Sequence, residues 1–161
     1  MKKAILLSLF ALFFLTACGF AWRGTGSASL DALQQIQLNY AGSNNNELAA
    51  LLQRRLSASG VDLGIYPEAY QLTLGEEQFR ERVISVNRNV RAGEYELTLS
   101  TSFQLSRQDN IIFNREIISV IQIYEADPTN AAAKTNEAEL IKTELRENLA
   151  AQIIRRLETV R

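Results

Sequence analysis

Residues 79–93, FRERVISVNRNVRAG, bring together four arginines, Arg80, Arg82, Arg88 and Arg91, against one acid, Glu81. A planar guanidinium offers a phosphate two parallel charge-assisted hydrogen bonds, so an arginine cluster suits a phosphorylated ligand. The same charges are also satisfied by water and by the nearby Glu76, Glu77, Glu81 and Glu94, and both roles stay open for them. The carboxylate pairs Glu76/Glu77 and Glu94/Glu96 are the chain's candidates for acid–base chemistry. Glu94 and Glu96 fall on the polar side of an alternating pattern, where charge is expected, and nothing converges on either pair. The 161 residues contain no histidine and a single cysteine. That removes Ser-His-Asp and Cys-His catalysis, His-ligated or Cys-rich metal sites and internal disulfides. A non-catalytic protein without cofactor or metal is expected, and a formal net charge of −1 gives no argument for nucleic acid.

The lone cysteine has a different chemistry. Met1-Lys2-Lys3 is a short basic start, Ala4–Leu15 an apolar run, and Leu15-Thr16-Ala17-Cys18 closes it. The run is short for a bilayer span and right for a signal-peptide core ending in small residues. A cysteine directly after such residues resembles the bacterial lipobox, in which the thiol is acylated and becomes the new N-terminus. Residues 1–17 are therefore expected to be a lipoprotein signal peptide and 18–33 a lipidated tether. Residues 34–161 are expected to form one periplasmic domain. Gly19, rather than Asp, after the cysteine points to the outer membrane. Acyl chains then hold the domain to that membrane, at roughly 0.8 kcal/mol per buried methylene.

The elements that must position the charged groups follow from periodicity. IQLNY (36–40) alternates and predicts a strand. Leu48, Leu51, Leu52 and Leu56 recur at helical spacing after the turn-forming AGSNNN, and Gly60 stands at a helix C-cap, so a helix is expected over 46–59. YQLTL opens an extended tract that continues with breaks to Val86. Tyr95, Leu97, Leu99, Thr101, Phe103 and Leu105 alternate with polar residues in the clearest strand of the chain. RQDN (107–110) is the expected hairpin loop. IIFNREIISVIQIY (111–124) should pair back; it is apolar on both faces, so its register is open, and either both faces are covered there or a bulge switches them. Asp127-Pro128 opens a helix expected over 130–158, with Ile141, Leu145, Leu149, Ile153 and Leu157 as its stripe, joined by Leu140 and Ile154. The order β-α-β-β-β-α predicts an α+β fold: a four-stranded, mostly antiparallel mixed sheet with both helices on one face. Lys134 lies in the first turn of the second helix, against the helix dipole.

CGFAWRG after the lipobox, VNRNVRAGEYEL, YEADPTNAAAKTNEAELI and the closing QIIRRL resemble, in this order and spacing, the LptE family of lipopolysaccharide-assembly lipoproteins. Trp22 stands where the family pattern carries Leu, an apolar-for-apolar departure. The resemblance implies a plug inside an LptD-type outer-membrane β-barrel. It also implies help in that barrel's assembly and binding of lipopolysaccharide during transport to the cell surface. By the same resemblance Arg88 and Lys134 are expected to contact lipopolysaccharide, with Arg91 beside them. The alternative is a generic lipoprotein adaptor of another outer-membrane complex, without a lipid ligand. A lipid-anchored hydrolase has no nucleophile motif to support it.

The lipobox reading predicts that mass spectrometry of the membrane form finds an acylated peptide beginning at Cys18. Cys18→Ser should block processing and leave the domain folded. A soluble mature form beginning elsewhere contradicts it.

Overall fold

The sixteen residues Ala92–Arg107, which alternate from Glu94 to Leu105 except that Ser102 is buried as well, build the strand on which the others align. The computed structural model describes residues 30, 32–41, 47–86, 92–125 and 131–160. In chain order the elements are β1 (Gln35–Tyr40), α1 (Glu47–Ala58), β2 (Asp62–Leu63), β3 (Tyr70–Leu74), β4 (Gln78–Val86), β5 (Ala92–Arg107), β6 (Asn110–Glu125) and α2 (Ala131–Leu157). Tyr95, Leu97, Leu99, Thr101, Phe103 and Leu105 of β5 are all buried, as a two-residue period with one covered face requires. β6 pairs antiparallel along the whole strand, from Glu94↔Glu125 to Arg107↔Asn110. The turn at Gln108 takes a φ of 52°. Register shifts opposite Phe103–Ser106 answer the question left by the two-sided apolarity of β6. Tyr124, Val120 and Ile118 turn to the core side, opposite Tyr95, Leu99 and Thr101. Ile117, Ile121 and Ile123 turn away from it, opposite Ser102, Thr98 and Glu96.

The sheet is mixed. β1 runs parallel to β2 and β3, and β3, β4 and β6 all run antiparallel to β5. β3 and β4 lie along the same edge of β5, with Leu74 opposite Phe103 and Gln78 opposite Ser100. That spacing holds one residue more on the β3–β4 side, which is a bulge. Gly75 makes it possible. Its amide donates to the Ser102 carbonyl at 2.7 Å, and a Cβ there would stand 2.3 Å from Ser102 Oγ. The expected four strands are thus six: the extended tract to Val86 is two strands split at Gly75, and Asp62–Leu63 adds a short one beside β1. The α+β class, the mixed sheet and the helices on one face are as expected.

Both helices pack over the core face. α1 contributes Leu48, Leu51, Leu52 and Leu56, and α2 contributes Ile141, Leu145, Leu149, Ile153 and Leu157. Gly60, at a φ of 85°, ends α1, and the Val61 amide closes the cap on the Leu56 carbonyl at 3.1 Å. Ile154 packs against the core, but Leu140 does not: it is 62% exposed. It sits one residue before Ile141, about 100° around the helix from the stripe. Leu30 and Leu33, expected in the tether, are buried in the core cluster. Asp127 and Pro128, and most of the AGSNNN turn, lie outside the described residues.

A polar node ties the helices to the bulge. Glu77, immediately before β4, accepts the Leu48 amide on Oε1 at 3.0 Å, capping the first turn of α1. Its Oε2 accepts Arg146 Nε of α2 at 2.9 Å. Arg146 also reaches Glu47 Oε2 at 2.5 Å, and as a residue is 9% exposed. At the far end of α2, Arg156 grips Glu116 of β6 through two hydrogen bonds of 3.1 and 2.7 Å and lies 3.9 Å over the Phe113 ring. The Arg156 hydrogen bonds hold the Glu116 carboxyl below its ordinary value.

Two outcomes follow. Glu77→Ala leaves a nearly buried guanidinium with one carboxylate and an uncapped helix, and should lower stability by roughly 2–4 kcal/mol in urea melts, with α1 amides exchanging first. A lowered carboxyl pKa contributes stability above its unfolded value that disappears as pH falls through the folded value. Stability should therefore drop as pH passes below about 4.5, and Glu116→Gln should remove a small part of that drop, on the order of 0.5 kcal/mol, because the pair is half exposed.

Candidate functional site on the open face of the sheet

Cys18, Arg88 and Arg91 lie outside the described residues. Lys134 falls in the first turn of α2, a turn with no acidic residue, and its side chain is likewise outside the description. The strands nevertheless define the end of the sheet to which these positions connect. β4 ends at Val86 and β5 begins at Ala92. Glu94 pairs with Glu125, the last residue of β6, after which the chain continues to α2. The connection holding Arg88 and Arg91 and the one leading to Lys134 therefore depart from the same end of the sheet.

With both helices on one side, the other face of the sheet is uncovered among the described residues, and its side chains fall into three columns. Arg82, Arg80 and Gln78 of β4 stand opposite Glu96, Thr98 and Ser100 of β5. Those in turn stand opposite Ile123, Ile121 and Ser119 of β6, with Ser102 opposite Ile117 one step further. Adjacent strands are about 4.8 Å apart, so cations and isoleucines are separated by roughly 10 Å of polar strand. Arg82 donates to both oxygens of Glu96 at 3.1 Å, whereas no carboxylate among the described residues pairs with Arg80. Ile117, Ile121 and Ile123 are 81, 58 and 57% exposed.

The columns end at a depression over the bulge. It has a volume of about 430 Å³, and its lining includes Gly75, Glu76, Ser100, Ser102, Arg115 and Ile117. Small side chains leave the hollow open, while Ser102 Oγ fills the place a Cβ of Gly75 would take. Arg115 Nε donates to Ser102 Oγ at 2.9 Å, which holds its guanidinium against the hollow. Chemically the face offers the arginines of β4, a middle column of Glu96 and hydroxyls on β5, and isoleucines with Ser119 and Arg115 on β6.

The candidate acid–base pairs dissolve into other roles. Glu77 is a helix cap and an ion-pair partner, Glu96 binds Arg82, and Glu94 lies at the sheet end opposite Glu125. Among the described residues no cluster of His, Cys, Asp or Glu is arranged to hold a metal ion, and no helix is long and apolar enough to cross a membrane. Periodicity overlooked Arg115 and the outward isoleucines. The signal was there in the apolarity of residues 111–124 on both faces, read as a register problem rather than an uncovered surface.

A mixed sheet, two helices on one side and an open amphipathic face define a small sheet-and-helix domain. It superimposes on the rare lipoprotein B of Shewanella oneidensis with a TM-score of 0.70 at 24% identity, covering 76% of this chain and 92% of that one. It superimposes on a minor lipoprotein of Acinetobacter baumannii with a TM-score of 0.65 at 24% identity, covering 78% and 91%. The family model described as LptE, lipopolysaccharide-assembly, matches residues 33–157, and this chain belongs to that family. The LPS-assembly lipoprotein LptE of Yersinia pestis (strain Pestoides F) is 28% identical over 99% of this chain and 78% of its own length, and that of Yersinia pseudotuberculosis serotype O:1b matches equally.

Proposed function

We propose that this chain is an outer-membrane lipoprotein that faces the periplasm, occupies the lumen of an LptD-type β-barrel, assists that barrel's assembly and binds lipopolysaccharide on its way to the cell surface. The observation that carries the reading is membership of the lipopolysaccharide-assembly family across the whole folded domain, residues 33–157. Cys18 supplies the anchor. The Thr98, Ser100, Ser102 and Gln104 side of β5 supports the plug, because the interior of a membrane barrel is lined with polar side chains. Arg88 and Lys134, with Arg91 beside them, take the phosphorylated head of lipopolysaccharide. Their connections leave the same end of the sheet, which supports their acting on one ligand. The role asks the chain for binding and shape, not for bond-making chemistry.

Charge-assisted hydrogen bonds contribute roughly 1.5–3 kcal/mol each. Arg88→Asp combined with Lys134→Asp should therefore weaken lipopolysaccharide binding by at least about tenfold, with an unchanged circular dichroism spectrum. Unchanged affinity in the folded double variant removes both residues from the site. Depletion of the protein should lower the amount of correctly assembled barrel in the outer membrane, and normal assembly under depletion refutes the plug.

A further inference from the structure

The three columns on the open face have no structural use that the core explains. Ile117, Ile121 and Ile123 point away from every helix, and Ile117 is 81% exposed. They repeat on one face of one strand, over roughly 20 Å from Ile117 to Ile123. Polar side chains separate them from the cations of β4. A face divided in this way matches a molecule divided in the same way, anionic at one side and hydrocarbon at the other. Arg115, fixed by Ser102 beside the hollow, and Arg80 on β4 are the cations at the two levels of the face. Arg115 lies six residues along β6 from Ile121, which is level with Arg80, roughly 20 Å, and its guanidinium reaches back to Ser102 on the neighbouring strand, so only a head with more than one anionic group engages both.

We propose that the open face of the sheet binds a phosphorylated, multiply acylated lipid, its hydrocarbon lying along Ile117, Ile121 and Ile123 and its anionic head held by Arg80 and Arg115. The site is separate from the connections that carry Arg88 and Lys134. It rests on the lipopolysaccharide-binding part of the proposed function, and extends it from the head of the ligand to its acyl chains. Arg82 takes no part, because its Nη2 already donates to both oxygens of Glu96. The hollow beside Ile117 is lined by the hydroxyl side chains of Ser100 and Ser102 with Arg115 at its wall, and Glu76 also borders it, so the anionic group is held from the Arg115 side.

The test uses the full-length lipidated protein. A photoactivatable benzophenone side chain replaces Ile121 on the open face, Leu140 on the exposed side of α2, or Arg88, and adducts are identified after irradiation in cells. Lipopolysaccharide adducts are expected from position 121 and not from 140. With purified protein in detergent, Ile121→Gln combined with Ile123→Gln should weaken binding of purified lipopolysaccharide at least about tenfold. The same variant should bind the chemically deacylated saccharide like the wild type. Lipopolysaccharide adducts from position 88 without any from 121 overturn the proposal and leave the lipopolysaccharide-binding reading standing. Absence of adducts from both positions overturns both. Capture of protein alone from position 121, whether the barrel or a second copy of this chain, makes the face a protein interface and overturns the lipid track, and capture of the barrel leaves the plug reading standing. An equal loss of intact and deacylated ligand in the double Gln variant also overturns it.

Discussion

Arg146, nearly buried between two carboxylates, is the contact on which the arrangement of layers depends. A guanidinium taken from water is tolerated only when its charge and hydrogen bonds are answered, and Glu77 and Glu47 answer them from different parts of the chain. Glu77 sits in the break between two strands, Glu47 on the first turn of α1 and Arg146 midway along α2. One interaction therefore joins the sheet to both helices at a single point. Glu77 also accepts an amide of the first turn of α1, where the positive end of the helix dipole favours a carboxylate. The Arg156–Glu116 pair then holds the other end of α2 on β6. With α2 held at two points, its leucine stripe is committed to the core face of β5.

The consequence is an asymmetric sheet. One face carries the whole apolar core, in which Leu97, Leu99, Leu105, Leu145 and Leu149 are fully buried. The other faces outward with a mixed chemistry. Its shape derives from the same break that positions Glu77: the extra residue bends the β3–β4 edge, and the lack of a side chain at Gly75 lets Ser102 pack directly against its backbone. The proposed role calls for a rigid body that meets an amphipathic ligand and a barrel wall at once. Helices kept to one side and a surface kept free on the other suit that role.

Much of this was legible in the sequence because it is periodic. The alternation of residues 94–105 and the four-residue recurrence from Ile141 to Leu157 each report one covered face, and Gly60 marks its cap by conformational necessity. Strand count was not legible, because the split at Gly75 depends on a tertiary close approach to Ser102. Glu77 was read as a solvated acid or half of an acid–base pair. Its actual role needs Arg146, 69 residues away, which no local pattern reveals. Leu140 was assigned to the stripe, although the helical angle carries it into solvent. For the site, type and charge singled out Arg88 and Lys134 only with the help of family resemblance. Arg115 and the outward isoleucines emerged only when strand register separated the two faces of β6.

The central claim is that this chain works as the lipid-anchored plug of a lipopolysaccharide-transporting barrel. The most direct measurement is purification of the full-length lipidated protein from outer membranes in mild detergent, with the mass and composition of its complex determined by light scattering and quantitative mass spectrometry. The account predicts one copy of the chain with one copy of an LptD-type barrel. Recovery of the chain free of any such barrel, or with another outer-membrane machine in its place, contradicts it.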